Sequence, residues 1–195
     1  MKRIVLKYRN LLFLLVIPFL SSCGYNSMVQ KQETVTSQWA QVQNVYQRRA
    51  DLIPNLVNTV KGYADFEKST LTAVIEARAK ATSVNIDASK LDAKSLKAFQ
   101  DAQDGLKGSL SRLMVVAEQY PNLKANQNFL ELQSQLEGTE NRITVERMKF
   151  NEATQDYNAY IRQFPQVMVA KMFGFQSKPY FEAAQGSEKA PEVKF

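Results

Sequence analysis

The sequence predicts an all-α protein: an elongated antiparallel four-helix bundle with an irregular C-terminal tail. Three observations carry this prediction. Glycine (7) and proline (6) are scarce among 195 residues, which disfavours a turn-rich β architecture. Apolar residues recur at three- and four-residue spacing along four segments of about 25 to 40 residues each. In the last segment Phe129, Leu136, Ile143, Phe150, Tyr157 and Phe164 stand seven apart. A sustained period of seven indicates shallow packing against antiparallel partners.

The N-terminus reads MKRIVLKYRNLLFLLVIPFLSSCG. A basic head (Lys2, Arg3, Lys7, Arg9) precedes an apolar run, Leu11 to Leu20. That run is shorter than the roughly 20 residues of a transmembrane helix and has the proportions of a signal-peptide core. Leu20-Ser21-Ser22-Cys23 resembles a bacterial lipobox, and the resemblance implies cleavage before Cys23 and lipidation there. Residues 1–22 then form a signal peptide and 23–27 a lipidated tether; an uncleaved signal anchor is the alternative. Removing the four basic residues of 1–22 takes Lys+Arg from 25 to 21 against 19 acidic residues, a net charge of +2 instead of +6. The basic character therefore belongs to the targeting segment and gives no reason to expect nucleic acid as a partner.

The bundle is expected over residues 28–164. Its first helix sets Met28, Val35, Val42 and Arg49 seven apart, interleaved with Gln32, Trp39 and Tyr46. QRRADLIPNLV, residues 47–57, follows. Arg48 and Arg49 suit the negative end of a helix dipole, Asp51 suits an N-cap, and Pro54 suits a first helical turn. This reads as a corner between two helices; a single long helix kinked at Pro54 is the alternative. The second segment puts Leu52, Ile53, Leu56, Val57, Val60, Tyr63, Ala64, Leu71, Val74, Ile75 and Arg78 on one face. It fades at residues 82–95, rich in Ser, Asn and Asp, which form the longest predicted loop. The third carries Leu96, Phe99, Leu106, Leu110, Leu113, Met114 and Ala117 and stops before Pro121. The fourth runs from about Pro121 to Gln163.

Histidine is absent and there is one cysteine. That excludes Ser-His-Asp and Cys-His catalysis, Cys/His zinc sites and an intrachain disulfide. Neither a metal nor a cofactor is expected. Arg49, Arg78, Glu140 and Arg147 fall on or beside apolar stripes, and buried charges demand partners. They are read as a structural polar layer with Glu140 paired to an arginine of another helix; snorkelling from the rim is the alternative. Residues 165–195 form the tail. Its Phe173, Phe175, Tyr180 and Phe181 either fold back over a groove of the bundle or dock a partner or a membrane.

RRADLIPNLVNTVKGYADFE (48–67), LEGTENRITVERMKFNEATQDYN (136–158), FPQVMVAKMFGFQSKPYFEA (164–183) and APEVKF (190–195) together resemble the LemA family. The short YNSMV, residues 25–29, is also like that family's start. The resemblance implies an antiparallel bundle of long helices and names no reaction. The chain is accordingly expected to be no enzyme but a membrane-tethered extracytoplasmic scaffold or adaptor, its partner an unidentified envelope protein. A ligand-binding or carboxylate-dependent enzymatic domain built on the polar layer is the alternative.

Overall fold

A computed structural model describes residues 2–62 and 67–182, with residues 2–23 defined by backbone alone. Helix α1 spans Lys2–Lys61, α2 Lys68–Ser83, α3 Ala93–Ala117, α4 Pro121–Lys124, α5 Gln127–Arg162 and α6 Gln166–Phe173. A single 3-10 turn, Ala88–Lys90, interrupts the loop between α2 and α3. No strand occurs among the described residues, so the all-α class holds. Among the described residues no helix is long and apolar enough to cross a membrane. The signal-peptide and Cys23 readings fall on side chains outside the described set.

The predicted corner at Arg48, Asp51 and Pro54 is not present. α1 runs through all three without interruption. Asp51 caps nothing; it accepts a hydrogen bond from Gln47 Nε2 (2.7 Å), one turn back within the same helix. Pro54 is exposed. The seven-residue register explains the continuity: Met28, Val35, Val42, Arg49 and Leu56 are all buried, as are Trp39, Tyr46, Ile53 and Val60. A chain break at residue 51 would have put the two halves of this stripe out of phase.

By its contacts the chain falls into two compact units, and α1 and α5 each contribute to both. Unit 1 comprises residues 1–46 and 139–178. Its core pairs Trp39 of α1 with Phe150 of α5 edge to face, ring centroids 5.7 Å apart. Lys31 pairs with Asp156 and Gln38 Nε2 donates to Glu146 (2.6 Å). From Lys31 to Gln38 and Trp39 the partner moves back from residue 156 to residues 146 and 150, so α1 and α5 are antiparallel here. Lys149, and then Gln38, hold the Glu146 carboxyl below the ordinary glutamate range. Of the predicted heptad residues, Ile143, Phe150 and Tyr157 are buried in this unit, but Phe164 is exposed, because α5 has ended before it.

Unit 2 comprises residues 47–138 and 179–195. Its core joins Ile53, Leu56 and Val60 of α1, Leu71 and Val74 of α2, Leu106 and Leu113 of α3, Leu123 of α4, and Phe129 and Leu136 of α5. Ile75, expected on the buried face, is exposed; Tyr63 and Ala64, expected there with it, lie outside the described residues. Asp92 starts α3 through a capping box: its carboxylate accepts from Ser95 N–H (2.7 Å), and Ser95 Oγ accepts from Asp92 N–H (3.0 Å). Those bonds hold the Asp92 carboxyl below the ordinary aspartate range. Bonds from the Ser89 hydroxyl and backbone do the same for Asp87. A depressed folded value means this stabilisation is complete above the ordinary aspartate value and is lost as pH falls through the lower one. Thermal melts are therefore expected to be flat with pH above that range and to decline on further acidification. Asp92→Asn, which cannot titrate, should make the decline shallower; an unchanged profile would show that the cap contributes nothing to it.

Candidate functional site

Pro54 has no N–H, so the carbonyl of Ala50, four residues earlier, has no helical donor. Ala50 is buried and cannot rely on water. Arg78, from α2, supplies the missing bond: its Nε donates to Ala50 O at 2.8 Å. One residue earlier on α1, Arg49 is only 3% exposed. Its Nη2 donates to the main-chain oxygen (3.1 Å) and side-chain Oε1 (2.7 Å) of Gln103 on α3. Gln103 Nε2 in turn donates to Ala81 O of α2 (3.2 Å). A polar layer therefore ties α1, α2 and α3 together inside unit 2.

Of the four residues expected in such a layer, Arg49 bonds to Gln103 and Arg78 to Ala50, both within unit 2. Glu140 and Arg147 belong to unit 1, where both are partly exposed. Gln103 was not singled out by sequence reasoning, yet the signal was there. Leu96, Phe99, Leu106, Leu110, Leu113 and Ala117 leave one gap in their three-four spacing, and Gln103 fills it. The oxygens held by Arg49 and Arg78 are main-chain carbonyls and a side-chain amide, groups that set helix register and do not transfer protons. Among the described residues no group of three His, Cys, Asp or Glu could hold a metal ion.

The tail is not irregular throughout. It opens with α6, which Gly174 ends in the left-handed conformation (φ 76°) that a glycine adopts without strain. The Phe175 N–H returns to Ala170 O (2.9 Å). Beyond this the chain lies along α5 as a strap. Tyr157 Oη donates to Gln176 O (3.0 Å), and burial pushes this phenol up from its ordinary value. The Asn158 amide pairs with the main chain of Lys178 at two points, donating to its oxygen and accepting from its N–H, both 2.8 Å. In unit 2, Phe181 is buried and Gln100 Nε2 donates to Glu182 O (3.0 Å). Of the four aromatic residues singled out, Phe181 is therefore covered, Phe175 is half-buried, and Phe173 and Tyr180 are exposed. Neither Tyr157 nor Asn158 was foreseen as an anchor of this segment. Asn158→Ala should cost about 1–3 kcal/mol for two hydrogen bonds. It should also open chymotrypsin cleavage after Phe175 with the helices intact, as limited proteolysis followed by mass spectrometry would show. Unchanged resistance would mean that the strap is held elsewhere.

A protein-family model described as LemA family matches residues 38–195. The chain belongs to the LemA family. The LemA match begins within α1 and takes in the Arg49–Gln103 layer, the Arg78–Ala50 bond, α6 and the strap. Magnetosome protein MamQ of Magnetospirillum gryphiswaldense is 26% identical over 174 residues, 80% of this chain and 64% of the relative. Magnetosome protein MamQ 2 of Paramagnetospirillum magneticum is 27% identical over 175 residues, 81% of this chain and 64% of the relative. Protein LemA of Metamycoplasma hominis is 25% identical over 160 residues, 82% of this chain and 69% of the relative. The chain thus spans 64–69% of the length of these relatives.

Proposed function

We propose that this LemA-family chain is a membrane-tethered, extracytoplasmic scaffold or adaptor of the bacterial cell envelope. In this reading its long helices form the antiparallel four-helix bundle that the sequence predicts, and it performs no chemistry of its own. The N-terminal segment supplies the tether, through a lipid on Cys23 or as an uncleaved anchor. The exposed helix faces present surfaces to an envelope protein, with no role for nucleic acid. The observation that carries this reading is the polar layer within unit 2. Arg49 and Gln103 are buried, and Arg49 and Arg78 donate to the protein's own backbone and amide oxygens. Such groups brace helices against one another, which a scaffold needs.

The test is photocrosslinking in cells from residues placed at Val115, Leu130, Val145 and Met148, all exposed. Capture of one envelope protein from adjacent positions supports the adaptor. No capture, together with a small molecule retained by the purified protein and lost in Arg49→Met, would replace it with the ligand-binding alternative.

A further inference from the structure

Helix α6 is built inside out. It buries its small side chain, Ala170, at 3% exposure, while Met168 and Met172, one turn apart, are 64% and 69% exposed. Phe164, four residues before Met168, is 81% exposed, and Phe173 is 56% exposed. Covering a side chain of this size stabilises a protein by about 1.5–3 kcal/mol, so a helix that only needed to fold would be turned the other way. Contiguous apolar surface left open in this manner marks an interaction site.

The position of this surface points to its occupant. The Tyr25 ring lies edge-on to Phe173 and Phe175, with centroids 4.9 and 5.6 Å away. Tyr25 is two residues beyond Cys23 and five beyond Leu20, the end of the apolar run. Five residues span about 8 Å as helix and no more than about 18 Å fully extended. Whether the attachment is a lipid on Cys23 or the apolar run itself, Tyr25, and with it the end of α6 that its ring touches, is held within about 8–18 Å of the membrane anchor. A partner that had to diffuse to this face would compete with a bilayer already there.

We propose that the outward face of α6, made of Met168, Met172 and Phe173, with Phe164 just before the helix and Tyr25 beside Phe173, lies in the interfacial layer of the bilayer that holds the N-terminus. Lys171 is exposed on the same helix and suits anionic headgroups, and a tyrosine is at home at this depth. The proposal rests on the tethered reading above.

Full-length protein in phosphatidylcholine–phosphatidylglycerol vesicles carrying a diazirine lipid would be floated, irradiated and mapped by mass spectrometry. The reference is Met148, also exposed at 55% but close in sequence to Phe150, which packs on Trp39. That is about 20 Å farther along α1 from Tyr25. The peptide carrying residues 164–173 should be labelled several-fold more than the one carrying Met148. In Met168→Glu/Met172→Glu, two exposed changes that leave the core alone, the protein should still float and the excess label should vanish. Protein that floats with α6 labelled no more than Met148 would overturn the α6 surface and leave the tether standing. Protein that does not float would overturn the tether and the surface with it.

Discussion

Arg49→Ala is expected to destabilise the folded chain by about 3 kcal/mol or more, the sum of two charge-assisted hydrogen bonds and a cavity. The guanidinium serves both oxygens of Gln103 at a site that water reaches poorly, so truncation leaves two acceptors without this donor. Arg49→Met fills much of the same volume and removes the cost of burying a charge, so it should lose only about 1 kcal/mol. Urea titrations of both variants at fixed temperature separate the two contributions. A loss below about 1 kcal/mol in Arg49→Ala would show that the side chain does not brace the layer. Equal losses in the two variants would show that the hydrogen bonds, and not the packing, carry the effect. Gln103→Leu should be strongly non-additive with Arg49→Met, because each removes the other's partner.

The stripes that build both cores were legible in the sequence because buried residues recur every seven positions from Met28 to Leu56 and from Phe129 to Tyr157. What misled the reading was local chemistry. Arg-Arg, Asp and Pro each have a strong preference at helix ends, and at residues 48–54 those preferences agreed with one another. The register of Val42, Arg49 and Leu56, and of Tyr46, Ile53 and Val60, pointed the other way, and burial along that register outweighed the cost of one proline. The actual end of α1 follows Lys61 at Gly62, a residue type that stops helices readily. Gln103 was legible as the missing member of a stripe. The Asn158–Lys178 pairing was not, since nothing in a side-chain pattern shows which backbone an amide will meet twenty residues on. The inverted α6 was also hidden. Its sequence, QVMVAKMF, is apolar on nearly every side, so only the packed structure shows which side is left open.

Arg78→Ala is expected to cost about 1–3 kcal/mol, the penalty for a buried carbonyl stripped of its donor, and that cost should depend on Pro54. With proline at 54 the Ala50 oxygen depends on Arg78 Nε. With alanine there, the N–H of residue 54 reaches the same oxygen through the ordinary helical bond. Arg78→Ala should therefore be markedly less damaging in a Pro54→Ala background, with a coupling of about 1–2 kcal/mol across the double-mutant cycle. Pro54→Ala alone should not destabilise: residue 54 is exposed, alanine favours the helix, and a carbonyl oxygen has two lone pairs and can accept from both donors. Hydrogen exchange gives a second readout. The new amide at 54 should be protected in both backgrounds, and more tightly bound where Arg78 is absent. If Arg78→Ala costs the same with either residue at 54, the guanidinium is merely packing against α1, and α1 tolerates its proline for some other reason. If the coupling appears, the arginine and the proline of this segment form one device: the proline vacates a carbonyl in the middle of a long helix, and the arginine uses that vacancy to fasten α2 to a single register on α1.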